Sequence, residues 1–547
     1  MIEGIDRSPD ASIVVVARNL AAQQGRPRGP ALYRMYERIE DAFFPLDGDA
    51  FEPVSIADLL TGCPLVDIAP RGRGPFDEFD EAVCDRLSSF QLDVILKFGF
   101  RSLRGRARRL ARYGIWECVQ GSDSRRQTAP GFWEVFREEP CTTAVLNVLG
   151  SGDDEVRTID HCHGYTDKHS VRRNRHYNAW RASRFPLRCL ERLEANRGEA
   201  RPGAAVDGVP SVDGGGGADL PGNRAMTFLL AGHLWRYVKK KIYDALYRSQ
   251  WAVGFKLGTD TNSLFSVPRD FTIIEPPPDR FWADPFVVRA KDSYFIFLEE
   301  LLHATNRGHL SVVEVDGRGR PGPMTRILEK AYHLSYPFVF EHAGQIYMLP
   351  ETSGNGTIEV YRATRFPYQW ERHAVLMEGL TAVDTTLVEI DGRWWMFTTT
   401  GVKDAPLEEE LHVFYASSPF GPWRPHQRNP VISDCRRGRQ AGRIFQHRGS
   451  FYRPAQESTR SRGYGLSINR ITRLTPDDYG EEPVLRIRPG GRIRGIHTLN
   501  HASGMTVIDL NLKTRRPLYR GRPLKSITPG TSSQPGILYT PDAASPC

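Results

Sequence analysis

The chain has few cysteines and no cysteine pair. Its eight, Cys63, Cys84, Cys118, Cys141, Cys162, Cys189, Cys435 and Cys547, are scattered over 547 residues without a CxxC. That excludes a disulfide framework and reads as reduced thiols. Cys162 stands between His161 and His163, but no second ligand pair follows at zinc spacing, so no metal site is expected. No charged-then-apolar segment opens the sequence. The longest apolar run, Ala225–Leu234 interrupted by His233, falls far short of the ~20 residues that span a bilayer. The expectation is a cytoplasmic protein. Basic stripes interleaved with aromatics are also missing, so the net charge of +8 predicts no specific nucleic-acid partner. The charge comes from local clusters, among them Arg104–Arg112, Arg172–Arg175, Lys239–Lys241 and Arg436–Arg439, which read as solvated faces.

What is present is an ordinary globular composition, 40% apolar and 25% charged, in a chain too long for one hydrophobic core. Residues 195–224 form a Gly/Pro/Asp-rich stretch that cannot bury enough apolar surface to order itself. It divides an N-terminal domain, 1–194, from the rest. That domain alternates apolar runs with helical patterns, predicting an α/β fold with a buried strand at Leu92–Phe100 and a helix at Arg104–Tyr113 capped by Gly114. After the linker, residues 225–249 predict a basic amphipathic helix. Leu230, Leu234, Val238, Ile242 and Leu246 recur every four residues between Phe228 and Tyr247, for packing on a domain or lying on an anionic membrane surface.

From 250 to 512 the pattern is all-β and repeats. FWADPFVVRAKDSYFIFLEEL, LSYPFVFEHAGQIYMLPETS, AVDTTLVEIDGRWWMFTTTG, AGRIFQHRGSFYRPAQES and GIHTLNHASGMTVIDLNL each run through a strand, turn at a short loop and return. A period of about fifty residues predicts a five-bladed β-propeller, with Gln250–Lys256 available to complete the last blade and a polar tail at 513–547. Inner strands start near the axis, so Asp284, Asp384, Arg443 and His497 are expected around one mouth, with Glu351 and Glu457 at the ends of returning strands. Glycoside cleavage needs an ionised and a protonated carboxyl about 5 to 9.5 Å apart. Trp282, Tyr336, Trp394 and Tyr464 lie near the same loops, and Trp282, beside Asp284, is the candidate for stacking on a sugar. The alternative is that these carboxylates cap turns or pair with Arg443 inside a binding channel.

FWADPF (281–286), SYPFVF, LPETSG, AVDTTL and GIHTLN resemble the N-terminal propeller of glucosamine inositolphosphorylceramide transferases, itself similar to arabinanase- and xylosidase-type glycoside hydrolases. The resemblance implies Asp284 as general base, Asp384 as a second carboxylate that tunes it, and Glu351 as general acid with Glu457 as rival. Trp282, Arg443, Glu457 and His497 are then candidate substrate-binding residues. Only about 35 polar residues follow Leu512, so the glycosyltransferase domain of the plant relatives is not expected here, and inositolphosphorylceramide glycosylation is not carried over from the resemblance. LDVILKFGF, RYGIWECVQGSD and PGFWEVFREEPCTTAVLNVL resemble the Rossmann-type domain of methionyl-tRNA and amino-sugar formyltransferases, which implies 10-formyltetrahydrofolate as cofactor. The family's Asn-x-His falls on Glu117 and Val119, and its later Asp on Asp153 or Asp154. Val119 cannot handle a proton, and nothing orients Gln120, Asp123 or His161 in its place, so formyl transfer is expected to be weak or absent. The combined expectation is a carbohydrate- or glycoconjugate-modifying protein, its partner a carbohydrate, glycolipid or sugar nucleotide. The alternative is a non-catalytic glycan or sugar-nucleotide binding protein.

Overall fold

Five times between Arg280 and Arg515 the chain runs out along one strand, reverses over two residues and returns. The first turn residue is Lys291, Ala343, Asp391, Arg448 or Ser503, each with φ between 46 and 55°. In four of the five a glycine of positive φ follows (Gly344, Gly392, Gly449, Gly504), the type I′ geometry whose twist matches the flanking strands. The computed structural model describes residues 1–21, 29–44, 46, 48–52, 54–55, 58–73, 76–121, 131–152, 155–195, 220–265, 270–401 and 406–515, together with the backbone of 537–540. Asp123, Asp153, Asp154, most of the 195–224 linker and most of the 513–547 tail lie outside them. The chain divides into two units, Met1–Tyr237 and Val238–Cys547.

The second unit is all-β and propeller-like, with five antiparallel sheets in chain order. Sheet I holds Arg280–Ala290, Ser293–Leu302, Arg307–Val315 and Pro321–Leu328. Sheet II holds Ser335–His342, Gln345–Glu351, Thr357–Arg365 and Gln369–Glu378. Sheet III is led by Thr381–Ile390 and Arg393–Gly401, and sheet IV by Phe445–His447 and Ser450–Glu457. In sheet V, Leu499–Ala502 and Met505–Arg515 are joined by a strand from upstream of sheet I. Tyr247–Leu257 pairs with Met505–Arg515 without a slip, from Tyr247↔Arg515 to Leu257↔Met505. The two ends of the unit are thereby hydrogen-bonded together.

The cores show how the ring closes. Phe286, Phe338, Leu387 and Met396 join sheets I, II and III, and Phe397 packs with Tyr479 between III and IV. Ile468 packs with Ile508 between IV and V, and Val507 with Ile296 between V and I. Each sheet thus buries both faces against a neighbour, and each such buried Phe, Leu or Ile contributes roughly 1.5–3 kcal/mol.

The inner strands of sheets I, II and III share one irregularity. Their register slips between Ala283 and Phe286, Ser335 and Phe338, and Val383 and Thr386. At the slip, Asp284, Tyr336 and Asp384 take φ of 51, 45 and 53°. A bulge with a left-handed non-glycine residue re-aims that side chain and is retained only where the surroundings over-determine it.

The first unit departs from the Rossmann-type expectation. Its largest sheet, Ile95–Leu96, Ile115–Gln120, Cys141–Leu149 and Val156–Tyr165, has one parallel pair and two antiparallel ones. A nucleotide fold needs parallel strands joined by helical crossovers, and these mostly antiparallel strands cannot supply it. Leu92–Phe100 contributes only Ile95–Leu96 as strand, and Arg104–Tyr113 holds a short 3₁₀ turn, Gly105–Arg109, in place of a helix. The apolar run at 92–100 is interrupted by Lys97, whose Nζ is buried against Glu117 at 2.5 Å, their side chains 4% and 9% exposed. Glu117, aligned above with a catalytic Asn, is therefore half of a buried ion pair, and Val119 is core. The helix Val171–Ala195 covers the sheet with Ala182, Phe185 and Cys189 against Trp116, Leu146 and Val148.

The basic helix spans Asn223–Leu246, and Tyr247 already begins a strand. Along it Phe228, Leu234, Trp235, Val238, Ile242 and Leu246 are exposed. No described helix is long and apolar enough to cross a membrane.

Candidate active site

Asp284 and Asp384 occupy equivalent bulges in sheets I and III, and the site is built around them. Asp284 is 5% exposed. Its Oδ1 accepts the Thr498 hydroxyl at 2.7 Å and lies 3.5 Å from His497 Nε2. Asp509, from the second strand of sheet V, clamps the start of sheet I to sheet V. Its carboxylate accepts the backbone N–H groups of Asp284 (3.1 Å), His497 (2.8 Å) and Thr498 (2.9 Å) and pairs with His497 Nδ1. The His497 ring lies on Trp251, centroids 4.3 Å apart. Burial would lower the His497 pKa, but Asp509 and Asp284 overcome it and hold it up at about 9, an imidazolium at neutral pH. For Asp284 burial is the largest influence. It raises the pKa to about 6, helped by Asp384 and Asp509 and opposed by His497.

Asp384, 1% exposed, pairs with Arg439 Nε and accepts Gln456 Nε2 at 3.0 Å. Burial still raises its pKa, against the pull of Arg439. Glu351 accepts the Ser353 hydroxyl at 2.7 Å, and its charge acts on Asp384, Arg439 and Glu299. Glu299 is the sheet I counterpart of Glu351. Ala283↔Glu299 and Ser335↔Glu351 are the last pairs before the two bulges. Glu299 is 5% exposed. Burial raises its pKa well above the ordinary 4.5, and the charges of Asp284, Glu351, Asp384 and Asp509 add to that. Tyr336, at the sheet II bulge, is wall. Its hydroxyl accepts Gly442 N–H at 2.8 Å and meets Thr386 Oγ1 at 3.0 Å.

Asp284, Asp384, Glu351 and His497 are thus brought together; three other sequence candidates are not. Trp282 is buried in the core between sheets V and I, its indole N–H donating to Glu300 at 3.3 Å. The bulge that turns Asp284 inward leaves its neighbour on the packing face. Arg443 donates to the Val339 carbonyl and lies 4.9 Å over the Phe338 ring, where burial lowers its pKa to about 10. Glu457 is held by Arg488 (3.0 Å) and Thr459 (2.9 Å), and its neighbour Gln456 reaches the site instead. Sequence reasoning missed Glu299, Arg439, Asp509 and Gln456. One signal would have found Glu299: it follows Asp284 by the same fifteen residues that separate Glu351 from Tyr336.

Among the described residues the one three-ligand group is Asp284, His497 and Asp509, with donor atoms within 4.8 Å of one another. A cation there would have to displace the proton that the two carboxylates hold on His497. His161, Cys162 and His163 form no such group.

Taken together, the fold and the site define an all-β, propeller-like unit carrying buried carboxyls of unlike proton affinity at its inner-strand bulges. Residues 273–497 match the family model described as glucosamine inositolphosphorylceramide transferase 1, N-terminal. The chain is 37% identical over 211 residues to glucosamine inositolphosphorylceramide transferase 1 of Oryza sativa subsp. japonica, covering 38% of this chain and 28% of that protein. It is 34% identical over 212 residues to the Arabidopsis thaliana protein of the same name, with the same coverage, 38% and 28%. The matched stretch is thus under a third of these relatives' length. Among solved structures, the family 117 glycoside hydrolase Zg3597 of Zobellia galactanivorans aligns at 11% identity and TM-score 0.32, covering 51% of this chain and 96% of that one. Cellvibrio cellulosa α-L-arabinanase with arabinohexaose aligns at 14% identity and TM-score 0.32, covering 43% and 90%.

Proposed function

We propose that the second unit acts on the sugar of a glycoconjugate by acid–base chemistry at the inner-strand bulges. One observation carries this reading. Asp284 is held near 6, while burial and the surrounding carboxylates push Glu299, in the same group of side chains, well above its ordinary 4.5 and toward the protonated form. Two carboxyls whose surroundings push their proton affinities apart form the arrangement that glycoside chemistry requires. Asp284 takes the proton of an incoming water or acceptor hydroxyl, and Asp384, neutralised by Arg439, sets its field. His497 and Asp509 fix its position. Glu351 is the donor implied by resemblance. The curated relatives are named for transfer to an inositolphosphorylceramide, so a glycosylated inositol phospholipid is the first substrate to try.

Full-length protein incubated with aryl furanosides, aryl pyranosides and glycosylated inositolphosphorylceramides tests the reading. Turnover that falls about 10²- to 10⁴-fold in Asp284→Asn is expected. Undiminished turnover in that variant contradicts it, and saturable binding without turnover establishes a glycan-binding module instead. A lipid-linked substrate also accounts for the helix Asn223–Leu246, whose exposed Phe228, Leu234, Trp235 and Ile242 adjoin Lys239–Lys241. In this reading the stretch 228–247 contacts an anionic bilayer surface.

A further inference from the structure

We propose that Glu299 is the proton-donating carboxyl of this site, and that His333 and Gly308 are the positioning residues that hold it; the assignment rests on the acid–base reading above.

Each of the other carboxylates has a fixed partner. Asp384 has Arg439, Asp509 has His497, Asp284 has Thr498 and His497, and Glu351 has the Ser353 hydroxyl. Among the described residues no Arg or Lys pairs with Glu299. Its contact is His333 Nε2, 3.3 Å from Oε1. The form of that imidazole follows from its other nitrogen. The Gly308 N–H donates to His333 Nδ1 at 3.0 Å, which requires a lone pair there, so a neutral ring carries its hydrogen on Nε2, the nitrogen nearest Glu299. The burial of His333 favours that neutral form. The groups acting on Glu299 are the carboxylates of Asp284, Glu351, Asp384 and Asp509 together with His333. The four negative charges favour a protonated carboxyl, and a neutral His333 adds no positive charge to oppose them.

Gly308 makes the arrangement possible. It pairs with Leu301 in the neighbouring strand. A Cβ at this position would stand 2.8 Å from Glu299 Oε1, 2.8 Å from His333 Cε1 and 2.6 Å from the Leu334 carbonyl oxygen. Any side chain would push apart the two groups that must meet. The His333 side chain is 38% exposed and that of Glu299 7%.

In the step itself the Glu299 carboxyl O–H bond breaks as its hydrogen passes to the departing glycosidic oxygen. The anomeric C–O bond breaks, and the oxygen of water or an acceptor hydroxyl bonds to that carbon while its proton goes to Asp284. Glu299 ends ionised and Asp284 protonated, and one proton returned through solvent restores the start. The substrate's bonds balance without any other reactant.

Two measurements on the full chain need no substrate. In protein labelled with ¹⁵N-histidine, the signal lost in His333→Gln should report a neutral ring with its hydrogen on Nε2 from pH 6 to 8. A cationic ring or the opposite tautomer overturns the assignment. The thermal midpoint of Glu299→Gln should rise relative to wild type as pH increases from 5 to 9, because the buried carboxyl resists an ionisation that the unfolded chain undergoes near 4.5. A gap that is flat or shrinks overturns it. Catalysis separates the donors. Glu299→Gln should lose about 10²- to 10⁴-fold on an alkyl glycoside and under about tenfold on a nitrophenyl glycoside, whose leaving group needs no proton. Glu351→Gln should show no such split, and the reverse pattern assigns the donor to Glu351. Loss of turnover in Asp284→Asn tests the acid–base reading separately, so that reading and the Glu299 assignment can fail independently.

Discussion

Replacing Asp284 by Asn should stabilise the protein, and by more as pH rises. The carboxyl goes from an ordinary 3.8 to about 6 on folding. Between those values the unfolded chain has already released its proton while the folded one has not, so stability falls as pH rises through that window. Above it the cost is fully present, about 3 kcal/mol at ~1.36 kcal/mol per pKa unit. Asn removes the charge and keeps an oxygen for the Thr498 hydroxyl now 2.7 Å from Oδ1. It also tolerates φ of 51° better than most residues do, so backbone strain should not change. Urea or thermal unfolding of both proteins from pH 4.5 to 8 is the assay. The variant should be near wild type at the acid end and more stable by several degrees at pH 7.5. A pH-independent gap, or a variant that is less stable throughout, would show that Asp284 is an ordinary carboxylate stabilised by His497, and the argument from burial would fail.

Trp282→Ala should cost about 3–5 kcal/mol through the cavity it leaves, with any ligand affinity of the folded fraction unchanged; weakened binding with unchanged stability would return Trp282 to the ligand. In the first unit Lys97→Met should cost about 3–5 kcal/mol by stranding Glu117, and Lys97→Met with Glu117→Leu should recover most of it in denaturant titrations; if the double variant is no better than the single, the pair is not the determinant. The full chain should cosediment with vesicles containing anionic lipid and not with neutral ones, and Trp235→Glu should abolish this; lipid-independent behaviour would exclude the membrane contact.

The sheets of the second unit could be read from sequence because their signals are local. A charged or glycine-bearing pair such as Asp391–Gly392 both ends one strand and sets the twist of the next. Asp284 and Asp384 were legible because the motifs AspProPhe and AspThrThr open the repeated strands. Arg439, Asp509 and Glu299 were not, since they come from a loop and from second strands and meet the others only through the radial arrangement of sheets. Arg443 and Trp282 failed for the complementary reason: nearness to a motif in sequence does not say which side of a bulge a side chain takes. In the first unit the apolar run at 92–100 gave no way to tell a buried strand from an irregular segment, and the Lys97 within it was the sign that a polar partner, Glu117, had to be buried too.

The central claim is that one ionised and one protonated carboxyl act together on a sugar, and the pH dependence of kcat/KM on the first substrate found tests it most directly. A bell is expected, its acid limb near 6 from Asp284 and its alkaline limb from loss of the Glu299 proton, with the acid limb removed in Asp284→Asn and the alkaline limb in Glu299→Gln. Limbs that survive both substitutions would contradict the account.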